Sequence, residues 1–135
     1  MSSLNKIDEY AEEFSFLDDD DRLVHLIDMA KNSPTSLPEE LRTDDRLVTG
    51  CMSQIWVDVG VKDNIVNVYY DSDAIITKGI TKVVCDCFSD ITVEQAKTIT
   101  KDDFEKLQIK ELLSAVRRNG LGSLISTITN KVKQL

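Results

Sequence analysis

The stretch of residues 54–70 reads QIWVDVGVKDNIVNVYY and carries the clearest structural signal in the chain. Its first half alternates in period two, which predicts a strand from Gln54 to Val61. The inward face of that strand is expected to carry Ile55, Val57, Val59 and Val61. Lys62-Asp63-Asn64 is a polar turn, and residues 65–70 form a second apolar run. The stretch therefore predicts a β-hairpin.

Helical patterns precede this hairpin. Apolar residues recur at helical spacing from Leu4 to Leu17, which predicts an amphipathic helix. A second helix is expected from about Asp19 to Lys31, with Asp18 as its N-cap. His25, the single histidine, is expected to be a partly exposed surface residue of that helix.

Helical patterns also follow the hairpin. Asp71-Ser72-Asp73 is interpreted as the start of a helix running from Ala74 to about Phe88. This is the most apolar helix, and its expected inward residues are Ile75, Ile76, Gly79, Ile80, Val83, Val84 and Cys87. Threonines at 92 and 100, each three residues before Gln or Asp, have capping-box spacing and predict two short helices. A last helix is expected from about Ala115, capped by Ser114, to the end.

These elements predict an α+β fold. A small antiparallel sheet, made of a hairpin at about 54–71 plus a further strand, packs against helices before and after it. With 135 residues, 41% hydrophobic and 30% charged, the chain is expected to form a single globular domain over 1–135.

The composition limits where the protein works and what it binds. No apolar run approaches the roughly 20 residues needed to cross a bilayer, and the N-terminus lacks a secretory pattern. We therefore expect a cytoplasmic protein, or an organellar one after transit-peptide removal, with no membrane partner. The net charge is −8. Nucleic-acid binding needs a positive field, so no nucleic-acid partner is expected.

Charge is spread unevenly along the chain. Residues 1–45 carry 13 acidic and 4 basic side chains, whereas residues 101–135 carry 4 acidic and 7 basic ones. The run Asp18–Asp21 is interpreted as a solvated helix start rather than a metal site, because carboxylates favour the positive end of a helix dipole.

The three cysteines have different sequence settings. Cys51 follows Gly50 and precedes Ser53 on a predicted loop, so it is either a reactive thiol or a packing residue at a strand start. Cys85 and Cys87 lie two residues apart on the core helix, about 200° apart in direction, and are interpreted as small hydrophobes. A metal site built from the three cysteines and His25 stays open as an alternative, although it has no recognised zinc spacing.

Three ordered motifs, taken together, resemble the SufE family of sulfur acceptors. The first is Gly50-Cys51-x-Ser53-x-Ile55-Trp56. The second is Asp71-Ser72-Asp73-Ala74-x-Ile76-x-Lys78-Gly79-Ile80, and the third is Leu113-Ser114-x-x-Arg117-x-Asn119-Gly120-Leu121. The chain departs from the family pattern at Met52, where glutamine is usual, and at Ala115-Val116, where Pro-Ser is usual.

The resemblance implies a fold akin to the scaffold proteins of iron–sulfur assembly. It implies that Cys51 accepts a persulfide sulfur from a pyridoxal-phosphate-dependent cysteine desulfurase, stimulates that enzyme and passes the sulfur to a cluster scaffold protein. Such a chain is a carrier and activator rather than a free-standing enzyme, with no cofactor of its own, and is expected to be a monomer or weak dimer.

The same motifs supply candidate supporting residues, namely Gly50, Ser53, Asp71, Asp73, Arg117 and Asn119. We hypothesise that Arg117 pairs with Asp71 or Asp73 and so fastens the last helix beneath the Cys51 loop. Two other functions stay open: a cysteine-based metal or iron–sulfur scaffold, and an adaptor that binds the desulfurase without taking sulfur.

Overall fold

The computed structural model describes residues 4–32, 37–48, 54–109, 113 and 115–135, and of residues 4, 5 and 115–117 only the backbone path. The elements in chain order are α1 (Leu4–Ser15), α2 (Asp19–Asn32), a 3-10 helix (Glu39–Leu41), β1 (Ile55–Lys62), β2 (Ile65–Ser72), α3 (Ile75–Phe88), β3 (Ile91–Thr92), α4 (Val93–Thr98), a second 3-10 helix (Lys101–Leu107) and α5 (Ala115–Lys133).

The predicted hairpin is confirmed. β1 and β2 pair antiparallel, from Ile55 opposite Ser72 to Lys62 opposite Ile65. Asp63 and Asn64 form the turn with φ of 52° and 64°. Asp and Asn tolerate this left-handed backbone, and a two-residue left-handed turn matches the twist of paired strands.

The sheet has the order β1-β2-β3, because β3 pairs antiparallel with the start of β2. The sheet is therefore small and antiparallel with helices before and after it, and the α+β prediction is confirmed. None of the helices in the described ranges is long and apolar enough to span a bilayer.

The core lies where α3 packs on β2 and α2. Val83, Val84 and Phe88 of α3 are fully buried, as is Val57 of β1. Two inward assignments were wrong: Val61 and Ile75 are each 44% exposed. Burial decreases along β1 toward the turn, where Val61 lies, and Ile75 is the first residue of α3.

The helix starts use the predicted side chains in most cases. Asp18 Oδ1 accepts the Asp21 N–H at 2.9 Å, as expected of an N-cap. Thr92 and Gln95 form a complete capping box. Asp103 Oδ2 accepts the Thr100 N–H at 2.9 Å, as in a capping box, but the helix that begins there is a 3-10 helix. The Ser114 side chain lies outside the described residues.

Candidate functional site

The segment that carries the candidate nucleophile joins β1 to a preceding stretch that is hydrogen-bonded to it. Gly50, Cys51 and Ser53 lie outside the described residues, and the structure describes the chain on either side of them. Upstream, the Val48 N–H donates to the Ile55 carbonyl at 2.8 Å, and the Arg46 carbonyl accepts the Val57 N–H at 3.0 Å. Residues 46–48 therefore extend the sheet along the free edge of β1.

A side-chain ion pair strengthens this upstream attachment. Arg46 Nε lies 3.3 Å from Asp58 Oδ1 on β1. Because both backbone and side chain hold residues 46–48 to β1, the chain enters the Cys51 segment from a fixed position.

Asp73 fixes the downstream end of the segment. Its Oδ1 accepts the Gln54 N–H at 2.9 Å, and its own N–H donates to the Gln54 carbonyl at 3.2 Å. This contact corrects the interpretation of Asp71-Ser72-Asp73 as a helix cap. The N-cap of α3 is Ala74, whose methyl side chain cannot accept a hydrogen bond, and the Asp73 carboxylate is bonded to Gln54.

Asp71 is a buried carboxylate on β2, the strand that pairs with β1. It lies opposite Trp56 in the hairpin, and its side chain is 6% exposed. Arg42 Nη2 forms an ion pair with Asp71 Oδ2, and Lys78 Nζ lies 3.9 Å from Oδ1. Burying a carboxylate is costly unless cations and hydrogen bonds compensate it, so these two cations explain how the charge is tolerated.

Arg42 also contacts the first strand. Its guanidinium carbon lies 5.7 Å from the centroid of the Trp56 ring, within cation–π range. Arg42 follows the 3-10 helix Glu39–Leu41, so it ties the chain that leads toward Cys51 to both strands of the hairpin. Sequence reasoning missed Arg42, which no motif contains, and it gave Lys78 no role although the second motif includes it.

The third motif is described only in part. The Arg117 side chain lies outside the described residues, so its pairing with Asp71 or Asp73 stays a prediction. Asn119 is exposed in the first part of α5. The structure thus brings Asp71 and Asp73 together at the end of β2, beside Trp56 and Gln54, and shows no contact from Asn119 to them among the described side chains.

The other two cysteines lie in the core, as predicted. Cys85 is 1% exposed and Cys87 is 0% exposed. Burial raises the pKa of the Cys87 thiol to about 12, and the neighbouring Asp86 carboxylate adds to the effect. Burial likewise raises the pKa of Cys85 well above its ordinary value. Because the thiolate is the reactive form, both thiols are protonated and unreactive at neutral pH.

His25 is a partly exposed residue on α2, as expected. Its Nε2 lies 2.8 Å from Glu13 Oε1, and its side chain is 30% exposed. Within the described ranges, no group of three or more His, Cys, Asp or Glu side chains is arranged to hold a metal ion.

Comparisons with known proteins agree with the motifs. Residues 8–132 match the SufE family model, described as an Fe-S metabolism associated domain. A SufE-like protein of Rhizobium meliloti is 33% identical over 139 residues, covering 96% of each chain. A SufE-like protein of Rhizobium etli is 34% identical over 133 residues, covering 94% of this chain and 89% of the relative.

A solved structure shares the fold. The solution structure of a hypothetical protein from Thermus thermophilus superposes with a TM-score of 0.79, covering 96% of this chain and 94% of the other. Its sequence identity is 18%, so this likeness concerns the fold alone.

Proposed function

Because the chain belongs to the SufE family and so has a role in Fe–S metabolism, we propose that Cys51 is the sulfur acceptor of this protein. The donor is the active-site persulfide of a pyridoxal-phosphate-dependent cysteine desulfurase, whose activity the protein stimulates. The sulfur then passes to a scaffold protein for cluster assembly, in the cytoplasm. The protein acts as one domain, a monomer or weak dimer.

The proposed transfer is a persulfide exchange. The Cys51 thiolate attacks the outer sulfur of the desulfurase Cys–S–SH group. A new S–S bond forms at Cys51 as the old one breaks, and the desulfurase cysteine leaves as a thiolate. Cys51 then carries the persulfide, and no external oxidant or reductant is needed.

The attachment of both ends of the Cys51 segment supports this proposal most directly. Val48 is bonded to Ile55, and Gln54 is bonded to Asp73. Five residues, 49–53, join these two attachment points. Bonded attachment points on either side of so short a connection limit how far its single thiol can lie from the sheet edge, which suits a carrier that must meet a partner's active site.

The other two thiols support the assignment by contrast. Cys85 and Cys87 are buried in the core and their pKa values are raised. A desulfurase cannot reach them without unfolding α3. Cys51 is therefore the thiol that we assign to sulfur transfer.

The other motif residues are candidates for supporting roles. We propose that Gly50 permits the backbone bend before Cys51 and that Ser53 donates a hydrogen bond to its sulfur. Asp71 and Asp73 hold the ends of the strands beside the segment, while Arg117 and Asn119 bring the start of α5 to it. Replacing Arg117 by alanine is expected to change the Cys51 alkylation rate at fixed pH. An unchanged rate would show that Arg117 has no influence on the reactivity of Cys51.

Shielding of the persulfide is the second part of the proposal. Free thiols reduce an exposed persulfide by exchange, so a carrier benefits from a segment that is closed at rest and opens on docking. The Asp73–Gln54 pair is suited to such opening, because it consists of two hydrogen bonds at an exposed position. We propose that desulfurase docking breaks this pair.

The burial of Cys85 and Cys87 disfavours the metal-scaffold alternative, since two of its proposed ligands face the core. Measuring the turnover rate of the desulfurase with either wild-type or Cys51→Ser protein added distinguishes a sulfur carrier from a non-covalent adaptor. We expect stimulation by the wild type and its loss in the variant. Stimulation that survives Cys51→Ser would support the adaptor, and stoichiometric iron or zinc bound to the wild type would support the scaffold.

A further inference from the structure

A groove along α5 has a charge pattern that the sulfur-acceptor proposal does not use. It consists of two adjoining concavities that share Lys101 and Ser126. We call it the α5 groove. Its cationic lining residues are Lys97, Lys101, Arg118 and Lys133.

All charged residues described in the lining of the groove are cations, although the protein as a whole is acidic, with a net charge of −8. Among the described side chains, Lys101, Arg118 and Lys133 form no ion pair, while Lys97 donates to the Leu135 carbonyl at 3.5 Å. Other lysines and arginines of the chain, such as Lys82 and Lys106, pair with carboxylates, so Lys101, Arg118 and Lys133 are the groove cations available to an external anion.

Small residues of α5 leave room between the cations. Gly122, Ser123 and Ser126 are half-buried along the groove. A Cβ atom placed on Gly122 has only Lys101 Nζ within 4 Å, at 3.7 Å. The Lys101 ammonium therefore lies close to the α5 backbone at Gly122.

The length of the groove selects among anionic ligands. Arg118 and Lys133 are fifteen positions apart on α5, which corresponds to about 22 Å along a helix. An inorganic anion spans only a fraction of that distance. Nucleic acid is disfavoured because the described lining residues include no aromatic side chain for base stacking and the net charge is negative.

From this charge complementarity we infer that the α5 groove is a docking surface for an acidic, extended segment of a partner protein. Lysine ammonium groups and the Arg118 guanidinium bind the carboxylates of the segment, and the amide group of Asn130 donates a further hydrogen bond to it. The inference is independent of the chemistry at Cys51.

The test uses a fluorescein-labelled peptide of about ten alternating Asp and Glu residues, long enough to span about 22 Å when extended. Fluorescence anisotropy with the full chain at low salt should show binding that weakens as salt is added. Lys101→Glu/Arg118→Glu should lower the affinity at least about fivefold. The matched control Lys31→Glu/Lys62→Glu makes the same charge change at exposed lysines outside the groove and should leave the affinity within about twofold.

The experiment has outcomes that overturn the inference. No binding of the peptide at low salt, or an equal loss in the control variant, would exclude a specific acidic-segment site. Tighter binding of a ten-nucleotide oligothymidylate would identify a nucleic-acid surface instead. Self-association that Lys101→Glu/Arg118→Glu abolishes would identify a second copy of the chain as the occupant. Cys51→Ser should bind the peptide as the wild type does, so that this result and the sulfur-transfer result are independent.

Discussion

Arg42 forms an ion pair with Asp71 that links the chain leading toward Cys51 to the second strand of the hairpin. The Asp71 side chain is 6% exposed and that of Arg42 is 34% exposed, so the carboxylate depends on its cations far more than the guanidinium depends on the carboxylate. Together with the Trp56 contact, the pair makes Arg42 the residue that joins the two strands to the 3-10 helix before them.

Replacing Arg42 by alanine should therefore destabilise the protein. The variant lacks one of the two cations, Arg42 and Lys78, that lie beside the buried Asp71 carboxylate, and we expect a loss of about 1–3 kcal/mol in the free energy of unfolding. Urea unfolding measures this change. Arg42→Ala should cost less in an Asp71→Asn background than in the wild type, and equal costs in the two backgrounds would show that the pair is not coupled.

Asp73 should control access to Cys51. Asp73→Ala removes the acceptor of the Gln54 N–H, so the downstream end of the Cys51 segment should open more often. Because a hydrogen bond contributes about 1 kcal/mol net, we expect Cys51 alkylation to accelerate about fivefold at fixed pH. Asp73→Asn retains a side-chain oxygen that accepts the same bond and serves as the control.

Alkylation is followed by intact mass under pseudo-first-order conditions. Equal rates for the wild type and Asp73→Ala would show that this bond does not limit access to the thiol. Acceleration in Asp73→Asn equal to that in Asp73→Ala would trace the effect to the charge rather than to the bond.

Two helical glycines should respond in opposite ways to alanine. A Cβ atom on Gly79 would lie 2.9 Å from the carbonyl carbon of Leu26, because α3 crosses α2 at that point. Gly79→Ala should therefore lower the free energy of unfolding by about 1–3 kcal/mol or more. Gly122 has open space beside it, so Gly122→Ala should stabilise α5 by up to about 1 kcal/mol.

Urea unfolding of both variants checks this contrast. A Gly79→Ala protein as stable as the wild type would mean that α2 and α3 separate at little cost. A destabilised Gly122→Ala protein would contradict the open environment of that residue.

The buried thiol of Cys87 should make stability fall at alkaline pH. Its pKa is raised to about 12 in the folded chain, whereas an unfolded cysteine ionises near its ordinary pKa of about 8.5. Above about pH 8.5 the folded state retains a proton that the unfolded state has lost, so the free energy of unfolding decreases as pH rises toward 12.

Urea unfolding at about pH 8 and about pH 10 measures this slope. The decrease should be smaller in Cys87→Ala than in the wild type, because the variant lacks this titrating group, while Cys85, Tyr10 and Tyr70, whose pKa values burial also raises, contribute to both. Identical decreases would show that Cys87 does not contribute to the alkaline loss of stability.

Sequence patterns predicted the hairpin and the main helices because they extend over many residues. The period of two in β1 and the apolar face of α3 each repeat several times, so single exceptions such as Val61 and Ile75 did not change the assignment. β3 has only two residues, Ile91–Thr92, and no periodicity can locate so short a strand.

The candidate site was less predictable from sequence. Asp and Ser are common both at helix N-caps and after strands, so Asp73 was assigned to α3 although it is bonded to Gln54. Arg42 lies 29 positions before Asp71, and only the folded chain brings the two together. The motifs indicated that Asp71 and Asp73 matter, and the structure supplies their physical roles beside the Cys51 segment.

Intact mass spectrometry can show directly whether Cys51 accepts sulfur. The protein is incubated with L-cysteine and a purified pyridoxal-phosphate-dependent cysteine desulfurase from the same genome, then separated under non-reducing conditions. We expect the wild type to gain the mass of one sulfur atom, the gain to disappear in Cys51→Ser, and peptide mapping to locate it at Cys51. Cys85→Ala/Cys87→Ala should gain the same mass. A wild-type protein that gains no sulfur from a demonstrably active desulfurase, or a gain that persists in Cys51→Ser, would contradict the assignment of Cys51 as the sulfur acceptor.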